Sequence, residues 1–307
     1  MDSIAPMMTR RRTLQITDEG ATKGVANAGL THVYAFDVVM NPDDTFIQRK
    51  PSNHLAGNLD GVVGARTGTC TFRVELRRLA AATLNAGVDL LLAASGWKLA
   101  TATYTPSIVE SNQATLTIDL NEDGLLKRMT GCMGNVRIVA EVGGIVYLEC
   151  EFKGIWVAPI DADLGSATAA TVVPMRFASS TLALGAYTPK IMNFALSLNA
   201  NVILRPDQST AAGYLHALIT DIDPTIELDL EADNVATHDA YGIWLAGTNA
   251  NLSMTLADAT AKSTIAGAIQ YRSIAEGDRD GVVTHNVVAQ FVNKDDGSLP
   301  TITTAAP

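Results

Sequence analysis

Long stretches of this chain alternate apolar and polar residues with a period of two and are bounded by Gly, Asn and Asp. A strand sends successive side chains to opposite faces, so the pattern confines the chain to half-buried β-sheet. In Thr115-Leu116-Thr117-Ile118-Asp119-Leu120 the Leu and Ile side chains share one face and Thr115, Thr117 and Asp119 the other. Residues 135–157 read NVRIVAEVGGIVYLECEFKGIWV, two alternating runs meeting at Gly143-Gly144, where both central positions of a tight hairpin tolerate positive φ. In the second run Tyr147, Glu149, Glu151 and Lys153 share one face, and Val146, Leu148, Cys150 and Phe152 the other. Two helices are expected. One covers 79–94 with Gly96 as its stop, and the other starts at an N-cap Ser209, runs through AAGYLHALI and ends before Pro224.

The order of these elements suggests a repeat. TLTIDLNEDG at 115–124 and TIELDLEADN at 225–234 match without gaps, and Asn135 before VRIVAEV corresponds to Asn251 before LSMTLAD. A strand-like run and a helix precede each, which predicts a tandem duplication with its boundary in PIDADLGSATAATVVP at 159–174. The expected fold is mainly β: an arm over 1–30, a module over 31–160, a linker over 161–174, a second module over 175–293 and a tail over 294–307. Residues 42–69, rich in Asn, Asp, Gly and Pro, read as a long loop, and such loops inside compact units are usually functional or disordered. The two Gly-Ile-Trp triplets, at 154–156 and 242–244, read as packing at strand ends.

Composition narrows the function. With 47% hydrophobic and 18% charged residues, the 307-residue chain has enough apolar surface for a sizeable core. No apolar stretch approaches the roughly 20 residues of a membrane helix. Arg10, Arg11 and Arg12 precede polar residues instead of an apolar signal region, so synthesis and retention in a cytoplasm are expected. This basic cluster suits contact with an acidic neighbour. The net charge is −10, and residues 221–307 hold 13 acids against 4 bases. That balance argues against tight nucleic-acid binding, which relies on Lys and Arg at phosphates, but not against a surface past which nucleic acid slides. Cys70, Cys132 and Cys150 form no CxxC pair and read as reduced structural thiols, with Cys150 pointing into a core. The five histidines are scattered, and the acidic clusters at 121–124 and 276–281 lack the EF-hand spacing; the second reads as a hairpin connection. Gly61, Gly64 and Gly68 make no phosphate loop, and there is no GxSxG elbow. No catalytic residue, cofactor or metal ligand is assigned.

Several segments carry a resemblance. FRVELR at 72–77, LLLAASGW at the end of the first helix, TLTIDLNEDGLLKRMTGCMGNVRI at 115–138 and SIAEGDRDGVVTHNVVAQF at 273–291 resemble major tail tube proteins of long, flexible-tailed bacteriophages (siphoviruses). The similarity covers most of residues 30–295, and the order of the segments is more telling than any one of them. The resemblance implies β-sandwich or barrel-like modules, each with a flanking helix. Such modules stack as rings into a hollow tube through which the genome leaves the capsid. Two modules per chain then imply three chains per pseudo-sixfold ring, a closure that leaves no sheet edge exposed. Implied partners are further copies of the chain, the tape-measure protein, the tail terminator, distal tail proteins and double-stranded DNA in transit; no membrane is involved. The implied location is the virion tail, after synthesis in the host cytoplasm. Such tubes are electronegative inside, which implies channel-facing positions for Asp119, Glu149, Glu151, Glu227, Asp229 and Glu231; a solvated outer surface is the alternative. The arm, the long loop and the acidic C-terminal region are candidates for ring-to-ring contacts. A carbohydrate-binding or adhesin-type β-sandwich and a glycosidase remain as other classes. The first would need clustered aromatic platforms, and the second two carboxylates at a set separation.

Overall fold

The computed structural model of the chain describes residues 7–8, 10–43, 45–52, 57–80, 83–164, 173–257, 262–292 and 299–305. The first part of the chain forms β1 (Arg12–Asp18), β2 (Thr31–Val33), β3 (Ala35–Pro42), β4 (Phe46–Arg49), β5 (Leu59–Val63), β6 (Thr67–Glu75), β7 (Arg78–Ala80), β8 (Thr83–Leu84), α1 (Ala86–Ala93), β9 (Trp97–Ala100), β10 (Thr103–Pro106), β11 (Leu116–Glu122), β12 (Leu125–Glu141) and β13 (Tyr147–Asp161). The second part forms β14 (Thr181–Leu184), β15 (Ile191–Ser197), β16 (Asn201–Pro206), β17 (Tyr214–Asp221), β18 (Thr225–Glu231), α2 (Ala240–Leu245), β19 (Asn249–Ala257), β20 (Lys262–Arg279), β21 (Val282–Phe291) and β22 (Thr301–Ala305). The fold is mainly β, as the alternation requires.

Within the main sheet the pairing order β1-β11-β12-β13-β6-β3 recurs as β14-β19-β20-β21-β18-β15. In each series a hairpin, β4–β5 or β16–β17, precedes the strand that leads to the helix. The recurrence is not the one the sequence match indicated. TIELDLE forms β18, whose counterpart is β6 with TCTFRVE, whereas TLTIDLNE on β11 corresponds to β19. Alternating strands resemble one another over ten residues, and only the pairing partners decide which are equivalent.

The two series meet on β12. Its first half pairs with β11, and its second half, Arg137–Glu141, pairs on the same edge with Ser197–Asn193 of β15. The apolar side of the joined sheet continues across that ladder as one core, from Leu14 and Phe72 through Ile138 and Leu196 to Leu228 and Val287. All three cysteines are buried and unpaired in it. Burial pushes the Cys70 thiol up to about 12 and the thiols of Cys132 and Cys150 well above their ordinary value.

Several local expectations hold. Helix α1 has Asn85 as its N-cap, accepting from the Gly87 N–H at 3.0 Å, and Gly96 (φ +91°) follows its last turn. It starts later than expected because Arg78–Ala80 and Thr83–Leu84 form the short pair β7–β8. The cluster at 276–281 contains a two-residue hairpin turn, Asp280-Gly281, with positive φ at both residues. At Gly143-Gly144 only Gly143 has positive φ, so this connection is longer than a two-residue turn.

Other expectations are corrected. The second helix is the hairpin β16–β17. Asp207 accepts from the Ser209 N–H and hydroxyl, and Gly213 has φ +78°, so Ser209 belongs to an Asx-type turn rather than a cap. The helix of this part is α2, capped by Asp239. The two Gly-Ile-Trp triplets therefore lie on different structures, β13 and α2. Residues 12–18 of the expected arm are strand β1, in the interior of the sheet between β11 and β2, and residues 301–305 of the expected tail are strand β22, between β20 and β10. Residues 165–172 of the expected linker lie outside the described residues, as do parts of the loop at 42–69, whose described portion includes β4 and β5.

Strand β11 is buried on both faces, not one, because residues 19–28 cover its polar side. Glu19 makes that cover. Its carboxylate accepts from the Gly24 N–H (2.6 Å), the Gly131 N–H (2.7 Å), Thr115 Oγ1 (2.7 Å) and Thr117 Oγ1 (3.0 Å). A Gln here would turn an NH2 group toward donors, and an unmatched buried polar group costs about 1–3 kcal/mol. Glu19→Gln is expected to lower the urea unfolding free energy of the monomeric chain by roughly 3 kcal/mol. An unchanged midpoint would contradict this role.

Candidate functional site

The side of the joined sheet opposite the core is polar, and side-chain parity sets its composition. Phe36, Arg73, Glu149, Arg137, Ser197, Thr225 and Gln290 stand opposite one another across β3, β6, β13, β12, β15, β18 and β21. The next row on this face carries Tyr147, Val139, Ala195, Glu227 and Val288. The face therefore runs without a break over the ladder between the two series.

Arginines lace this face together. Arg137 lies 3.4 Å from Glu149 Oε2 and 2.7 Å from Glu227 Oε2, linking β13 to β18 across the joint. Arg73 reaches Asp37 at 3.5 Å and Glu149 at 3.7 Å while standing over the Tyr147 ring. Arg279 reaches Asp229 at 2.8 Å and Glu231 at 3.3 Å. Five carboxylates thus meet three guanidiniums, and the face keeps a net negative charge. Two shallow depressions of about 500 and 400 Å³ open on it, the first bordered by Asp37, Asn135, Glu151 and Asn199, the second by Glu141, Asn193 and Glu227. Both are open and do not enclose a small ligand. Among the described residues, no three His, Cys, Asp or Glu side chains gather as metal ligands.

The six carboxylates named from the sequence are not equivalent. Glu149, Glu151 and Glu227 stand on this face, as do Glu231 and the more enclosed Asp229. Asp119 does not join them. It is only 2% exposed and accepts two bonds from Arg128, Nε to Oδ1 at 2.7 Å and Nη2 to Oδ2 at 2.6 Å. This bidentate pair pushes the Arg128 pKa upward and locks β11 to β12. The carboxylate is a structural tie and, unlike the other five, presents no exposed charge on this face. Sequence reasoning missed Arg73, Arg137 and Arg279, although the parity of FRVELR and NVRIV already sets the first two on the polar face. Arg11 and Arg12 pair with Asp123 and Glu122 at 2.7 and 3.0 Å.

The profile of the phage tail tube protein family matches residues 9–292. The chain belongs to the phage tail tube protein family. The match covers both strand series. A comparison with curated proteins returns no match. Family membership gives the chain a structural role in the virion tail, with self-assembly as its general business. No helix among the described residues is long and apolar enough to cross a membrane. Of the exposed aromatics among the described residues, Phe36 lies on β3, Phe46 on β4, and Tyr241 and Trp244 together on α2.

Separating the tie from the face gives a prediction. Asp119→Asn removes half of a buried pair and should cost roughly 3 kcal/mol in urea unfolding, whereas Glu151→Gln should stay within about 0.5 kcal/mol of the parent. Equal effects of the two substitutions would contradict the assignment.

Proposed function

We propose that the chain is a double-module subunit of a tail tube: three copies close a pseudo-sixfold ring, the rings stack, and the ion-paired face lines the conduit for DNA. The observation that carries this reading is the pairing order that occurs twice, with the two series already hydrogen-bonded edge to edge through β12 and β15. A chain built this way behaves as two consecutive segments of a closed sheet, and closure is the one arrangement that leaves no strand edge bare. The modules are assigned to the residues before and after the segment 161–174. The face suits a conduit because it is continuous over the joint and net negative, so it repels phosphate, while Arg137 is held between carboxylates of β13 and β18 and Arg279 by two carboxylates of β18. Glu149, Glu151, Glu227, Asp229 and Glu231 are the lining carboxylates of this reading. The tape-measure protein, tail terminator and distal tail proteins are its proposed neighbours along a siphovirus tail.

Charge reversal tests the lining. Glu151→Lys with Glu227→Lys is expected to leave tubes intact by electron microscopy and to slow DNA ejection several-fold, most strongly at low salt, where phosphate attraction is least screened. Intact tubes that eject at the parent rate would remove this face from the channel.

A further inference from the structure

The ladder that joins the two series inside the chain is a template for a joint that the chain leaves open at both ends. We propose that residues 275–279 of β20 in one copy take up residues 41–37 of β3 from a second copy, antiparallel, in the register that β12 and β15 already use. This deepens the ring reading and rests on it by naming the edges through which copies meet.

The register follows from matched pairings. On β3 and β6, Ala35 stands opposite Val74, Val39 opposite Thr71 and Met40 opposite Cys70. On β15 and β18, Ile191 stands opposite Leu230, Ala195 opposite Glu227 and Leu196 opposite Ile226. Every one of these residues lies 156 positions beyond its counterpart, and both ladders break at the same place, before Val39 in one and inside 191–194 in the other. Across β13 and β21 the same matching sets Val139 against Gly277, because Val139 faces Tyr147, which faces Glu75, while Gly277 faces Thr284, which faces Glu231. Within the chain, Arg137 faces Ser197, Val139 faces Ala195 and Glu141 faces Asn193. Carried over, Ala275 faces Asn41, Gly277 faces Val39 and Arg279 faces Asp37 of the next copy, so the last pair brings opposite charges together.

Both edges are open. Strand β20 pairs with β19 only as far as Gln270, and no described strand covers its remaining length on that side. Strand β3 pairs with β6 alone among the described strands, apart from a 3.4 Å bond from Arg12 to the Val38 carbonyl. The distal half of β12 is largely buried under its partners, whereas Ala275, Glu276 and Asp278 are exposed. Arg279 Nε is shielded from solvent yet has no hydrogen-bond partner among the described residues, and Asp37 of the next copy would supply one.

The hairpins make the same argument independently. The hairpin β16–β17 of the second series lies on the first, where Ala217 and Ile219 pack on Met133. Gln113, beyond α1, holds Ile219 through its carbonyl (2.9 Å) and its N–H (3.2 Å). Ile219 is 1% exposed. The equivalent hairpin β4–β5 leaves its apolar side chains bare among the described residues: Phe46 is 65% exposed and Val63 53%, with Ile47, Leu59 and Val62 similarly exposed. Val63 stands six residues before Thr69, as Ile219 stands six before Thr225. Its counterpart berth in a second copy lies behind α2, where Leu245 is 77% exposed and Trp244 is also uncovered. Two unused halves of one interface, a bare edge and an apolar hairpin on one side and their receptors on the other, fit a head-to-tail contact between identical chains.

Cysteine cross-linking of the full chain tests the register. The buried native thiols resist oxidation, so Asn41→Cys with Ala275→Cys should link copies under mild oxidant. An out-of-register pair, Val39→Cys with Ala275→Cys, should link at least tenfold less. Val62→Asp with Val63→Asp should leave the circular dichroism of the monomer unchanged and raise the concentration needed for assembly at least tenfold. Rings that form but cross-link equally in both registers, or in neither, would overturn the joint and leave the tube reading standing. A chain that stays monomeric by mass photometry at every concentration and salt, including with tail initiator proteins, would overturn both.

Discussion

A β-strand offers hydrogen-bonding groups on two edges, and this structure depends on how its edges are covered. β12 is the key element because its length gives it two successive partners on one side, β11 from its own series and β15 from the other. The apolar core and the polar face both continue over that ladder. Each series depends on the other for this cover, since the hairpin β16–β17 protects Met133 and the C-terminal strand β22 ties β20 to β10 of the first series.

Electrostatics follows from the same sheet. An arginine between two carboxylates on adjacent strands has its charge neutralised and its geometry fixed, and it leaves a surplus of negative charge on the row. Arg137 does this across the joint itself, so the ladder that extends the sheet also carries the charge pattern from one series to the next. The acid bias visible in the composition is thus only partly a surface property. Asp119 and Glu19 spend their charge inside, tying β11 to β12 and to residues 19–28. Proposed as a channel lining, the remaining face repels phosphate without offering free guanidiniums to hold it.

Much of the fold was legible because period-two alternation reports directly on side-chain parity. The strands around 115–157, the Asp280-Gly281 turn, the burial of Cys150 and the helix before Gly96 follow from local chemistry. The misreadings have physical causes. AAGYLHALI has helix-forming residues, but Asp207 and Gly213 bracket a turn that sends it back along β16, and Ala217 and Ile219 are buried by a partner distant in sequence. The arm around Arg12 looked unstructured because its cover, Glu19, makes sense only beside Thr115, Thr117 and Gly131. TLTIDLNE and TIELDLE match in sequence yet occupy non-equivalent strands, since a ten-residue alternation carries no information about which neighbour a strand will choose. The arginines of the site were visible by parity, whereas Arg279 needed the pairing of β20 with β21 and β18 before its partners Asp229 and Glu231 were apparent.

The central claim is that one chain supplies two consecutive segments of a closed ring. Electron-microscopy class averages of assembled rings, viewed end-on, test it most directly when combined with the ring mass by mass photometry. The account predicts six repeating lobes in a particle of about 97 kDa, three times the chain mass of 32.4 kDa. A ring whose lobe count equals its chain count would contradict it.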